Sequence, residues 1–363
     1  MTLMDCARPC ATRITSLELP PPVGYRSTMA QHTSNPQKKT LRHKLLRALK
    51  LVDEAEREDL IYYQTGGAKR KAHATWYRGE TTNFFPDKKA IAQPNAVDEY
   101  VGKGWFPDAP FITREHYITA FGSCFASEVT KYLYREGYQV FGRDLKLNSY
   151  VVRSGEGIVN SAAICQQFEW AFESKTPKIE LWHDKEGVPG DYSDEVRQAT
   201  RAIFEKSDIF ILTLGLSEVW YDKPTGEIFW RAIPKRDFDS ERHGFRVLGA
   251  VENLDNLRRT YQLIRAHRPD ATVIMTLSPV PLAATFRPVS CITASSVSKA
   301  SLRVAIDELM REVGPSSESK LYYFPSYEMV TSFLPNPMKD DFRHPTEESV
   351  AFIMQTFKRN FLR

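Results

Sequence analysis

Cysteine is scarce in this chain: Cys6, Cys10, Cys124, Cys165 and Cys291 stand among 363 residues. The number is odd and the spacing irregular, which favours free thiols in a reducing compartment over a disulfide framework, and a cytoplasmic location is expected. Cys6 and Cys10 have no second ligand pair near them, which argues against a zinc site. Long apolar runs are also missing. None approaches ~18 residues, so no transmembrane segment is expected. Arg8 and Arg13 are not followed by a continuous apolar stretch, so the start of the chain does not read as a secretory leader. Charge of one sign is scarce too. The 49 Lys and Arg against 45 Asp and Glu leave a formal net charge of +4, spread along the chain, which argues against a nucleic-acid partner. There is no Gly-rich phosphate loop, no dinucleotide fingerprint, no metal-ligand cluster and no internal repeat, so no cofactor and no metal is expected.

What is present suits one large domain with an appendage. Residues 1–40 read as irregular, because Pro20-Pro21-Pro22 and the polar run from Gln31 to Lys39 cannot build a core. Met29 is an alternative start. Thr40 suits the cap of a basic amphipathic helix from Leu41 to about Ile61, with Leu45, Leu46, Leu49 and Leu51 on its apolar side. Such a helix can lie on a membrane surface, pack on the main domain or self-associate, and the last two are favoured. Residues 76–105 are loop-like and aromatic, with Trp76, Tyr77, Phe84, Phe85, Tyr100, Trp105 and Phe106. With Arg78 and Asn83 they can stack on sugar rings. The preferred reading makes residues 41–110 a helical and aromatic extension that wraps a main domain at 111–363.

From Ile118 onward strands and helices alternate, which argues for a parallel sheet with helices on both faces. Strands are expected at Tyr117–Phe121, Gln139–Phe141, Asp208–Leu214, Thr272–Leu277 and Leu321–Phe324. Helices are expected at Cys124–Glu136, Asn160–Phe172, Tyr192–Lys206, Glu252–His267, Val297–Arg311 and Thr346–Phe361. Glu218–Asp222 and Glu227–Arg231 flank Pro224-Thr225-Gly226 and read as a small hairpin.

Two short stretches carry chemistry. Phe121-Gly122-Ser123-Cys124-Phe125-Ala126 turns a strand into a helix. Gly122 suits the corner, where a Cβ would be in the way. Ser123 and Cys124 then stand at the carboxyl end of a strand and the N-terminus of a helix, where ligands gather in open α/β sheets. The helix dipole there favours the thiolate. More than two hundred residues later comes Asp340-Asp341-Phe342-Arg343-His344-Pro345. It places His344 on the loop entering the last helix, with Asp341 as the local orienter of its ring and Asp340 as the fallback. Each stretch also has a plain reading: a buried small Cys at a tight turn, and a solvated acidic turn before a helix.

The words Gly122-Ser123-Cys124-Phe125-Ala126 resemble the motif of the GSCFA family, which is related to the SGNH (GDSL-like) esterases and acyltransferases. The resemblance continues through Leu214-Gly215-Leu216-Ser217-Glu218-Val219-Trp220, Glu241-Arg242-His243, Leu277-Ser278-Pro279-Val280-Pro281-Leu282 and Tyr323-Phe324-Pro325-Ser326-Tyr327-Glu328. It implies a flavodoxin-like three-layer α/β/α sandwich of SGNH-hydrolase type, here with an N-terminal extension. Aligned on Gly122, the superfamily's nucleophilic serine falls on Cys124, so Cys124 is the expected nucleophile and Ser123 the alternative. Ser217 stands where the superfamily places its oxyanion Asn, and Gly157, with Gly155, loosely resembles its glycine position. The Cys124 N–H is a further oxyanion candidate. Glu218, Arg242, His243 and Tyr327 either orient substrate or brace loops, and His243 can also be a second base. The Ser278-Pro279-Val280-Pro281 turn is expected to line the pocket.

Two functions follow. The first is an acyl-ester hydrolase or O-acyltransferase, working through a covalent acyl-enzyme on a short acyl ester of a small molecule, carbohydrate or polysaccharide. The second is a glycan-binding or polysaccharide-assembly protein on a degenerate hydrolase scaffold.

Overall fold

The structure is a computed structural model and describes residues 60–65, 68–73, 83–143, 149–153, 157–180, 190 and 192–363. The chain divides into two compact units, 1–83 and 84–363. In the first, β1 (Leu60–Thr65) and β2 (Ala68–His73) form an antiparallel hairpin in which Leu60 is opposite His73. The helix expected from Leu41 to about Ile61 therefore cannot extend past residue 59, since Leu60 and Ile61 are strand. The rest of that helix lies outside the described residues, as do residues 1–40 and Trp76, Tyr77 and Arg78.

The second unit contains β3 (Tyr117–Gly122), β4 (Gln139–Val140), β5 (Ile209–Leu214), β6 (Glu218–Asp222), β7 (His243–Val247), β8 (Thr272–Leu277) and β9 (Leu321–Tyr323). Its longer helices are α1 (Cys124–Arg135), α2 (Ser161–Glu173), α3 (Asp194–Lys206), α4 (Ala250–His267), α5 (Cys291–Val313) and α6 (Glu347–Phe361). Five strands form one parallel sheet in the order β4-β3-β5-β8-β9, the flavodoxin-like arrangement.

The strands are apolar on both faces because both faces are covered. Along β5, Phe210, Leu212 and Leu214 enter a core cluster with side chains of α2, α3, α4 and α5. Ile209 and Ile211 enter the opposite cluster with Phe125, Val129 and Leu133 of α1 and Ile353, Phe357 and Phe361 of α6. The result is a three-layer α/β/α sandwich. Trp105 packs edge-on against Tyr323, and Phe106 stacks on Phe324. Among the described residues, no helix is long and apolar enough to cross a membrane.

One expected pairing is extended. The hairpin joins Glu218–Asp222 to the Glu227–Arg231 stretch through Asp222 N to Glu227 O at 2.9 Å and Phe229 N to Trp220 O at 3.0 Å, but the second stretch is not a regular strand; on its other edge β6 pairs antiparallel with β7, with Trp220 opposite Phe245. The Pro224-Thr225-Gly226 turn does form, and a single bridge joins Tyr221 to Ile228. The fully buried Asp222 carboxylate accepts from Thr225 N and Oγ1 at 3.1 and 2.7 Å and from Arg242 Nε at 2.6 Å. This ties the turn to the residue that precedes β7.

Candidate active site

β3 is the first strand of the sheet, and the chain passes to β4 on one side of it before returning to β5 on the other. Ligands bind outside the carboxyl ends of the strands at such a reversal. Gly122 ends β3 at φ +129°, and a Cβ on it would stand 2.1 Å from Thr213 O. Only glycine permits this close approach of β3 to β5.

Ser123 follows, 4% exposed. Its N–H donates to Thr213 O at 2.9 Å and to Thr213 Oγ1 at 2.7 Å. Its hydroxyl lies 3.1 Å from Thr213 Oγ1 and accepts from Phe125 N at 3.3 Å. It is the N-cap of α1, an interaction worth about 1 kcal/mol. The hydroxyl is thus committed to the turn.

Cys124 is the first residue of α1 and is half-buried. Ser123 Oγ and C=O satisfy the next two N–H groups, Phe125 N and Ala126 N. The Cys124 N–H has no acceptor within its helix, as at any helix start. Its thiol borders a cavity of about 840 Å³ that is also lined by Phe125, Tyr132, Val280, Lys339 and His344.

His344 enters this cavity from the loop before α6. Its Nδ1 is 2.6 Å from Asp341 Oδ2. The other carboxylate oxygen, Asp341 Oδ1, accepts from the N–H groups of Arg343 and His344, each at 2.9 Å. The His344 ring bond, followed by these two backbone donors, holds the Asp341 carboxyl well below the usual carboxylate range. The imidazole is held through Nδ1, leaving Nε2 as the nitrogen available to a reacting group. Asp341, rather than Asp340, holds the ring. Cys124 and His344 border the same cavity with no direct hydrogen bond between them.

Lys299 was not singled out by the sequence. It rises from α5 and is 3% exposed. Its Nζ donates to Gly215 O at 2.6 Å and to Ser278 O at 2.7 Å, joining the chain just beyond the carboxyl ends of β5 and β8. Burial pulls its pKa down to about 7, and the charge of Cys124 is the influence that opposes the fall. The available signal was a lysine on a buried stripe, with Ser295, Leu302 and Ile306 at helical spacing.

The other expected site residues lie elsewhere. Ser217 is fully buried and spent on structure. Its hydroxyl donates to Ser298 O at 2.9 Å and accepts from Asn253 Nδ2 at 3.3 Å, while its N–H donates to Ser298 Oγ at 2.7 Å. With both groups engaged there, Ser217 does not serve as the oxyanion donor beside Cys124. Gly157 and Glu218 border a different cavity, of about 190 Å³. His243 borders a third, of about 670 Å³, with Arg242. Its Nδ1 accepts from Asp239 N at 3.0 Å and its ring packs on Phe229 and Phe238, so it is not a second base for Cys124. Arg242 braces Asp222, and Tyr327 packs half-buried against the core. Gly155 lies outside the described residues. Val280, from the expected Pro-rich turn, does line the Cys124 cavity. Among the described residues, no group of three or more His, Cys, Asp or Glu side chains is placed to hold a metal.

Among solved structures, the chain is similar to a mutant acetyl esterase crystallised with acetate ion, at 13% identity and a TM-score of 0.31, over 66% of this chain and 93% of that one. It is also similar to a carbohydrate esterase family 3 protein from Talaromyces cellulolyticus, at 11% identity and a TM-score of 0.28, over 67% and 94%. A third likeness is to an acetyl xylan esterase from the rumen bacterium Butyrivibrio proteoclasticus, at 14% identity and a TM-score of 0.22, over 42% and 36%. Likenesses this distant do not bear on the site. No curated protein matches the chain. The GSCFA family matches across residues 117–357, from the first strand of the sheet into the last helix, and the chain belongs to that family.

Proposed function

We propose that this protein is an acyl-ester hydrolase or O-acyltransferase that works through a thioester on Cys124. The observation that carries the reading is one cavity bordered both by a helix-start thiol and by an imidazole whose far nitrogen is held by a carboxylate. A nucleophile needs a base, and the base an orienter. In this reading the substrate's ester group occupies the space between thiol and ring, and the proton-transfer contacts tighten when it binds.

His344 Nε2 takes the thiol proton as the sulfur attacks the ester carbonyl carbon. The C=O π electrons move to oxygen, and the Cys124 N–H at the positive end of α1 is the donor in place for that oxyanion. Collapse re-forms the C=O and expels the alcohol oxygen, which leaves with the proton from His344. Water or an acceptor hydroxyl then gives its proton to His344 and attacks the thioester carbon, and Cys124 departs and is reprotonated. Asp341 fixes the ring and stabilises the imidazolium. Lys299 acts as a positioning residue. Its amine ties together the two segments that flank the turn and lies close enough to feel the charge of Cys124. The substrate class we favour is a short acyl ester, acetyl above all, on a carbohydrate.

The test is turnover of an activated acetyl ester and of acetylated monosaccharides by wild type, Cys124→Ala, Ser123→Ala and His344→Ala. Loss in the Cys124 and His344 variants with turnover kept in Ser123→Ala is expected. Loss confined to Ser123→Ala would return the reaction to a serine nucleophile. Folded protein without turnover of any of these esters would leave glycan binding as the better account.

A further inference from the structure

The cavity bordered by Gly157 and Glu218 has a construction of its own. The period of two along β6 places Glu218 and Trp220 on one face of the ribbon. The register with β7 sets Phe245 opposite Trp220, with ring centroids 5.1 Å apart. Phe286 covers both, at 4.8 Å from Trp220 and 5.2 Å from Phe245, yet is 57% exposed and forms the rim. These residues line a space of about 190 Å³.

Two polar atoms of its lining are buried and unpaired: Glu218 Oε2 and Trp220 Nε1. The Glu218 side chain is 3% exposed. Its other oxygen is satisfied, accepting from Thr285 Oγ1 at 3.0 Å with Arg287 Nη1 at 3.7 Å. A buried acceptor and a buried donor on one face of the ribbon, each without a protein partner, are costly to leave unmade. A hydroxyl group both donates and accepts, so the hydroxyls of one polyol ring can serve both a carboxylate and an indole. The flat C–H face of a ring suits the aromatic lining. A quaternary ammonium ion fits less well. Arg287 already offsets the carboxylate charge, and such a cation has nothing to offer the indole N–H.

We propose that this cavity is a binding subsite for a single neutral pyranose ring. Val159 and Leu216 border it. The missing Cβ of Gly215 would stand 3.1 Å from Val159 Cβ and 3.3 Å from Ser123 Cβ, so one layer of side chains separates the subsite from the Ser123–Cys124 turn. The ring held here is therefore a neighbouring unit of a longer glycan and not the one reacting at Cys124, an assignment that rests on the function proposed above; the binding itself does not.

The experiment is ligand-detected saturation-transfer NMR with isothermal titration of the full chain. The probes are methyl glucopyranoside, methyl galactopyranoside and methyl N-acetylglucosaminide, with tetramethylammonium as the competitor. Wild type, Cys124→Ala, Trp220→Phe and Phe286→Ala are compared, with melting temperatures recorded for each. The expected result is saturable binding of at least one glycoside, unchanged in Cys124→Ala and weakened about tenfold in Trp220→Phe. Phe286→Ala, at an exposed rim position that leaves the fold intact, weakens it as well, and tetramethylammonium does not displace the sugar. Absence of saturable binding by wild type, binding indifferent to both aromatic changes, or displacement by tetramethylammonium overturns the subsite. Binding that persists while ester turnover is absent separates the subsite's success from failure of the acyl-enzyme reading.

Discussion

The chain starts two helices with the same pair of residues, Ser123-Cys124 at α1 and Ser290-Cys291 at α5. Both thiols are half-buried at the positive end of a helix. There the likeness stops. Ser123 caps its helix through Phe125 N, whereas Ser290 makes no side-chain cap bond. The Cys291 thiol lies 3.7 Å from Leu282 O, to which it donates. The Cys124 thiol borders a cavity with His344, and the Lys299 amine responds to its charge. A third thiol, Cys165 inside α2, is pushed up to about 12, chiefly by burial and then by Glu169. A helix start is therefore not what sets Cys124 apart from Cys291; an imidazole from a distant loop on the same cavity and a buried lysine from another helix are.

Turnover should separate the two pairs most sharply. Cys124→Ala is expected to lower ester turnover by about a thousandfold or more, and Cys291→Ala to leave it within about twofold. Equal losses would break the comparison. Next come the base and its orienter. His344→Ala should cost on the order of 10²–10⁴-fold in kcat, with a smaller loss for Asp341→Asn, which keeps the ring near its place but offers a weaker partner to Nδ1. Steady-state kinetics at several pH values would show these losses in kcat rather than KM.

Lys299 sharpens the comparison through pH. In Lys299→Met ester turnover should lose the pH step near 7 that follows protonation of the amine. A purely structural Lys299 would lower turnover equally at every pH. The same residue marks stability. Its folded pKa of about 7 lies below its unfolded value, so between about pH 7 and 10 the unfolded chain holds a proton that the folded chain does not. Wild type should therefore gain stability relative to Lys299→Met as pH rises through that window, which denaturant titrations at pH 7 and pH 9.5 would read. The smallest effect expected is at the caps. Ser123→Ala should cost about 1 kcal/mol, and Ser290→Ala only a few tenths, by thermal melting.

Much of this architecture could be read from local pattern. The apolar runs of β5 and β8 announced strands buried on both faces, and Gly122 announced a corner that admits no Cβ. Asp341 and His344 are three residues apart, so their bond is local and legible. What escaped was set by contacts between distant segments. β6 takes its longer partner from β7, a distant strand that no turn signal reveals, and Arg242 just before that strand binds the Asp222 carboxylate. Ser217 looked like a strand-end donor until Ser298, on α5, claimed its N–H and hydroxyl. Lys299 carries no motif, and only the folding of α5 against the carboxyl end of the sheet gives its amine two carbonyls. Glu218 and His243 sit in matched words and Gly157 only loosely resembles a family glycine, yet the fold distributes the three between two other cavities.

The central claim is a thioester on Cys124, and intact mass spectrometry after rapid quenching with an activated acetyl ester tests it most directly. One acetyl group is expected on wild type and on Cys291→Ala, mapped by peptide digestion to Cys124, slowed in His344→Ala and missing from Cys124→Ala. An acetyl group mapped to Ser123 or Cys291, or an adduct that persists in Cys124→Ala, would contradict the account.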